Sequence, residues 1–168
     1  MDENRFWAII ETGWMAVGGK TKTRDKLVAG KLSEERALAL EETLDDVIDA
    51  ITEELNSLSQ EELLAFDRIL ERKLFDIDRA DIHAHTDGSD DGFLYCRGFI
   101  VAIGRAYYEA VLADPAKAIC DAECEAMCYL SWHLHEEKFG EVPNSGISRE
   151  SCSNQAGWPS DESPDAGN

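Results

Sequence analysis

Apolar residues recur along most of this chain at intervals of three and four, the spacing that lines one face of an α-helix. In "ENRFWAIIETGWM", Phe6, Trp7, Ile10 and Trp14 share such a face. "VGG" interrupts the period, and a basic segment follows. Residues 20–31 carry five Lys or Arg against the single Asp25. Over 33–58 the pattern predicts one long helix, with Ser33 as its cap and Leu44, Val47, Ile48, Ile51, Leu55 and Leu58 as its stripe. The rest of that helix holds nine carboxylates against Arg36 alone, so its outer face is strongly negative.

"SQEELLAFDRILERKLFDI" opens with Ser59 and Glu62 spaced as a capping box, and Leu63, Phe66, Ile69, Leu70 and Leu74 make the next stripe. After a polar stretch, "DDGFLYCRGFIVAIGRAYYEAVLADP" reads as a helix that starts at Asp90 and Asp91, where carboxylates meet the positive end of the backbone dipole, and stops at Pro115. Gly98 and Gly104 lie inside it, where glycine costs about 1 kcal/mol against alanine, which points to close helix-to-helix approach. Asp121 is the expected cap of the last helix, "DAECEAMCYLSWHLHEEKFG", and Gly140 suits the position just past its end. Residues 141–168 have little apolar content, and the final ten or so read as a disordered tail. No segment alternates with a period of two. The expected fold is all-α: one compact helical domain of about five helices over 1–140, with an irregular or disordered C-terminal extension over 141–168.

Charge narrows the function classes. The 168 residues include 16 Lys and Arg against 35 Asp and Glu, a formal net charge of −19 at pH 7. Such a surface repels nucleic-acid phosphates and anionic headgroups, so neither nucleic acid nor membrane is an expected partner without a segregated basic patch. A basic protein suits it better. Hydrophobic residues at 43% are enough for a real core at this length. No apolar run nears the roughly 18 residues that span a bilayer. The acidic start "MDENRF" leads into a helical pattern and does not read as a secretion signal. Five cysteines are odd in number and are not spread as a disulfide framework, so reduced thiols in the cytoplasm are expected.

Four blocks carry a resemblance: "ENRFWAIIE", "LSQEELLAFDRIL", "SDDGFLYCRGFIVAIGRAYYEAVLADP" and, more weakly, "YLSWHLHEEKFG". With them the chain resembles the small bacterial proteins grouped as domain of unknown function 4240. The third block is the most specific. The resemblance implies a helical fold and core positions, and it implies no activity or cofactor.

Several clusters carry candidate chemistry. In "ADIHAHTDGSDDGF", His83, His85 and Asp87 look like the first motif of the PHP phosphoesterases, whose imidazoles and carboxylates share a divalent metal. That motif needs a buried barrel strand, and helical patterns flank it here, so a polar surface loop is the plainer reading. Cys120, Cys124 and Cys128 are spaced to stack along one side of a helix, as a thiol sensor or as small core residues; the core reading is favoured, also for Cys96. Cys152 is expected to be an exposed thiol. Asp90, Asp91, Arg97 and Arg105 fit either a recognition pocket for an anionic group or an Arg–carboxylate network that orients a helix start. Trp158, in the polar "QAGWPS", is either an anchor for the tail or a contact for a partner. "VGGKTKT" echoes the end of a phosphate loop but lacks its spacing and its strand. The leading expectation is a non-enzymatic interaction protein, immunity-like or regulatory, that engages a basic partner through the acidic 34–58 face. A metal-dependent hydrolase at His83 and His85 is the alternative.

Overall fold

A computed structural model describes residues 1–86 and 89–159. Helices dominate, and no strand occurs among the described residues. In chain order they are α1 (Glu3–Ala16), α2 (Thr21–Val28), α3 (Glu34–Leu38), α4 (Glu41–Asn56), α5 (Gln60–Asp76), the single turn α6 (Ala80–His83), α7 (Asp90–Ile103), α8 (Arg105–Ala113) and α9 (Glu125–Phe139). No described helix is long and apolar enough to cross a membrane.

The all-α class follows the sequence pattern, and the helices are more numerous than the five or so expected. The basic segment after "VGG" forms α2, which buries Leu27 alone. One buried side chain in eight residues is too faint a stripe to read. The long helix expected over 33–58 divides at Ala39 and Leu40, where the N–H groups of Leu40 and Thr43 bond carbonyls only three residues back. No Gly or Pro marks this break, and Ala37, Leu40 and Leu44 are all buried across it.

The helix expected to run from Asp90 to Pro115 divides at Gly104, whose φ of 112° suits glycine and few other residues. Arg24 of α2 fills the space a Cβ would need there. Its Nε donates to the carbonyl of Ile103 at 3.0 Å, capping the end of α7, while Nη2 pairs with Glu11 at 2.7 Å. The last helix starts at Glu125, four residues later than Asp121, which instead takes a left-handed φ of 56°.

The core lies where α4, α5, α8 and α9 pack around α7, with α1 laid against α4 and α5. Phe6, Trp7, Ile10 and Trp14 are all buried, and the Phe6 and Phe66 rings sit 4.7 Å apart. Trp14 Nε1 donates to the carbonyl of Ala102 at 2.8 Å, fixing α1 to α7. The close approach expected at the helix glycines is found at Gly98. A Cβ there would lie 2.3 Å from the carbonyl oxygen of Cys124 and 2.6 Å from Cys128 Sγ, so α7 and α9 meet backbone to side chain. The capping box of α5 forms as its spacing predicts, Ser59 accepting from the Glu62 N–H and Glu62 reaching back to Ser59.

Residues 141–159 contain only a short 3-10 turn (Gln155–Gly157), yet they pack against α5, α7 and α9 through the buried Arg149 and Trp158.

Candidate functional site

The carboxylates of α3 and α4 form a long run of like charge at the surface. Glu34, Glu35, Glu42, Asp45, Asp46, Asp49, Glu53 and Glu54 are exposed, because the stripe Leu44, Val47, Ile48, Ile51 and Leu55 takes the opposite face into the core. Among the described residues no ion pair joins any of the nine acids of 34–54 to a cation. Across from the start of α4, the turn before α9 and the first residue of that helix present Asp121, Glu123 and Glu125, also exposed. Between them lies a cleft of about 450 Å³ bordered by these three acids and by Glu41, Glu42 and Asp45. The backbone N–H of Glu123 donates to Glu41 Oε1 at 2.6 Å, which ties one wall to the other. No Lys or Arg lines the cleft. Such a surface accepts hydrogen bonds and attracts ammonium or guanidinium groups.

The residues singled out in the sequence are spread over several places. Asp90 and Asp91 are exposed in the first turn of α7, whose cap is Ser89, accepting from the Gly92 N–H at 3.0 Å. Arg97 is fully buried. Its Nη1 donates to the carbonyl of Leu74 at 3.0 Å, and Nη2 donates to the carbonyl of Arg149 at 2.9 Å and to Ser151 Oγ at 3.1 Å. The guanidinium also lies 4.8 Å from the centre of the Phe93 ring. Burial pulls its pKa below the usual arginine range, and the negative charge of Asp78 works against that shift. Ser151 Oγ in turn donates to the Asp90 carbonyl at 2.6 Å. Arg105 is elsewhere: beyond the Gly104 break it is exposed and paired with Glu109 at 2.6 Å. Arg97 and Arg105 therefore do not share a pocket.

Trp158 is buried, its ring 5.8 Å from Phe93 and 5.2 Å from His83. His83 lies on the single turn α6, its ring edge-on to Phe93 at 4.9 Å, and His85 is exposed just beyond. Asp87 is outside the described residues. No group of three or more His, Cys, Asp or Glu that could hold a metal occurs among the described residues. The cysteine row is not a helix face either, because Cys120 and Cys124 precede α9. Cys120 is exposed, whereas Cys96, Cys124 and Cys128 are buried and Cys152 is half-buried. Burial pushes the Cys124 thiol up to about 12 and raises Cys128 further.

Sequence reasoning missed the buried polar residues that organise this side of the molecule. Asp67 accepts from Arg149 Nη2 at 2.6 Å and from Ser131 Oγ at 2.8 Å, and Glu71 lies 3.2 Å from Arg68. A signal was available: Asp67 and Glu71 fall at i+4 and i+8 from Leu63, on the apolar stripe itself. Asp78, buried and bonded to the 152–158 segment, carries no such mark.

An all-helical body with a clustered acidic surface is the class of molecule these observations define. The model of the family described as "Protein of unknown function (DUF4240)" matches residues 31–137, and the chain belongs to that family. The matched span runs from just before α3 into the last turn of α9, leaving α1, α2 and residues 141–159 outside it. No curated protein and no solved structure matches the chain.

Proposed function

We propose that this protein is a non-enzymatic binding module, immunity-like or regulatory, that engages a basic protein through α3, α4 and the acidic cleft beside them. The observation that carries the reading is the absence, among the described residues, of any cation paired to the nine acids of 34–54. Elsewhere Arg5, Arg24, Lys73 and Arg79 are each held by a nearby carboxylate. Leaving so many like charges together disfavours the folded state by self-repulsion, and a cationic partner relieves that repulsion. The cleft adds shape to the charge, since its wall is fixed by the bond from the Glu123 N–H to Glu41.

Affinity purification at low salt, with bound proteins identified by mass spectrometry, tests this directly. The expected partner is basic, its affinity falls steeply toward physiological salt because exposed charges are screened over about 8–10 Å, and a Glu42→Gln/Asp45→Asn/Asp49→Asn variant loses it. Capture of no basic protein at low salt, or equal capture by the neutralised variant, overturns the reading.

A further inference from the structure

The cations of this acidic chain are not evenly mixed with its acids. Of the 16 Lys and Arg, half are ion-paired to carboxylates among the described residues. Five of the others, Lys20, Lys22, Lys26, Lys31 and Arg36, fall within one short stretch of α2, α3 and their connection. With 35 carboxylates in the chain, leaving five neighbouring cations unpaired is a segregation of charge. It makes one locally positive field on a molecule of net charge −19.

Three of the five converge on a cavity. Lys20, Thr23 and Lys26 lie on one side of α2 at steps of three, facing Arg36 of α3 and Thr43 at the start of α4. They border an open hollow of about 240 Å³ over a floor that includes Leu32 and Leu40, and no carboxylate lines it. Lys20 holds a left-handed φ of 43°, directly after Gly18 and Gly19 at 82° and 74°. The Lys20 carbonyl accepts from the N–H groups of Thr23 and Arg24, so this strained residue starts α2. A third glycine would make the same turn without strain, whereas lysine at this position sets an ammonium on the rim.

We propose that this cavity binds a small phosphorylated molecule. Its phosphoryl group would be met by Lys20, Lys26 and Arg36 with the hydroxyls of Thr23 and Thr43, and its carbon skeleton would rest on Leu32 and Leu40. Three positive charges match a dianion, the hydroxyls donate to its oxygens, and the apolar floor excludes water from one side. The cavity is too small for a polymer, and the acids of α3 and α4 beside it repel an extended polyanion. This proposal is independent of the acidic face and would stand or fall separately from it.

Pyrophosphate titrated into the full chain at constant ionic strength, followed by amide NMR shifts and by the melting temperature, is the test. Saturable shifts confined to residues 20–43, with thermal stabilisation, are expected. Lys26→Gln/Arg36→Gln, both on exposed side chains, is expected to weaken binding at least tenfold. Lys22→Gln/Lys31→Gln, in the same patch but off the cavity lining, is expected to leave it within about twofold. Three outcomes overturn the assignment: no saturable shift, equal weakening by both variants, or a short single-stranded oligonucleotide binding more tightly than pyrophosphate. Self-association abolished by the Lys26/Arg36 variant would give the patch to a second copy of the chain and would also overturn it.

Discussion

Trp158 donates its indole N–H to Asp78 Oδ1 at 2.9 Å, and both side chains are buried. The same carboxylate accepts the backbone N–H of Cys152 at 3.0 Å and of Asn154 at 2.8 Å, so one acid just past the end of α5 holds the seven residues 152–158. Removing it as Asp78→Ala strands one buried and two part-buried donors, each charge-assisted, and is expected to cost about 2–4 kcal/mol. Trp158→Phe keeps most of the ring contact and loses one donor, so about 1–2 kcal/mol is expected. Urea unfolding of the two variants gives both values. Equal stability of Asp78→Ala and the native protein would mean that the tether is dispensable.

Arg149 and Asp67 make the second attachment of this segment, at 2.6 Å, with both side chains almost fully buried. Arg149 also donates to the Cys128 carbonyl at 2.5 Å, which joins the extension to α9 as well as to α5. Breaking a buried pair from one side leaves an uncompensated charge. Arg149→Ala is therefore expected to lose about 3–5 kcal/mol, and the paired change Arg149→Met/Asp67→Leu much less. A double-mutant cycle by chemical denaturation measures the coupling. Additive losses would show that the pair acts through separate contacts.

Which parts of this architecture were legible beforehand has a physical explanation. The stripes of α1, α4 and α5 were readable because one apolar face against a polar one is a periodic signal, and the Ser59–Glu62 box was readable because it is local. The break at Ala39 and Leu40 was not, since it depends on what the helix packs against and not on a Gly or Pro. How the irregular extension is held was not legible either, for the opposite reason, and the tail expected over its final ten or so residues lies almost wholly outside the described residues. Residues 141–159 have little apolar content, yet Arg149, Ser151, Asn154 and Trp158 tie them to acids and a carbonyl more than fifty positions away. Hydrogen bonds between distant polar groups leave no periodic trace. The acidic face was legible as charge, but the cleft it shares with Glu123 and Glu125 required the fold. Likewise, the five cations of the basic segment were visible as a run, and only the meeting of α2 with α3 and α4 turns them into a cavity.

Gly98 sets the spacing of α7 and α9. A methyl group there would press on the Cys124 carbonyl, which is backbone and cannot swing aside, and on the buried Cys128 sulfur. Gly98→Ala gains helix propensity worth about 1 kcal/mol, and overpacking costs about 1–3 kcal/mol. Since the contact is with a carbonyl at 2.3 Å, the overpacking is expected to win, lowering the melting temperature by several degrees. Gly98→Ala melting at or above the native temperature would show that the two helices can separate without loss.

The buried thiols give the protein a pH dependence of definite sign. Desolvation raises Cys124 to about 12, and Cys128, deeper still, shifts the same way. In the unfolded chain a thiol titrates near 8.5. Above that pH the unfolded state gives up protons that the native state keeps, so the unfolded state binds fewer protons and stability falls as pH rises. The contribution is complete below about 8.5 and is lost progressively toward 12, at a limiting slope of about 1.4 kcal/mol per pH unit for each thiol. Buried Tyr107 and Tyr108, also raised by desolvation, steepen the decline above pH 10. Urea midpoints at pH 7, 9 and 10.5 should therefore decrease in order, and Cys124→Ala/Cys128→Ala should flatten the first part of that decline. The same burial orders reactivity at neutral pH: exposed Cys120 is expected to alkylate first, with Cys124 and Cys128 protected until the chain unfolds. Fast labelling of Cys128 in the folded protein would place α9 in an opening motion that the Gly98 contact does not permit.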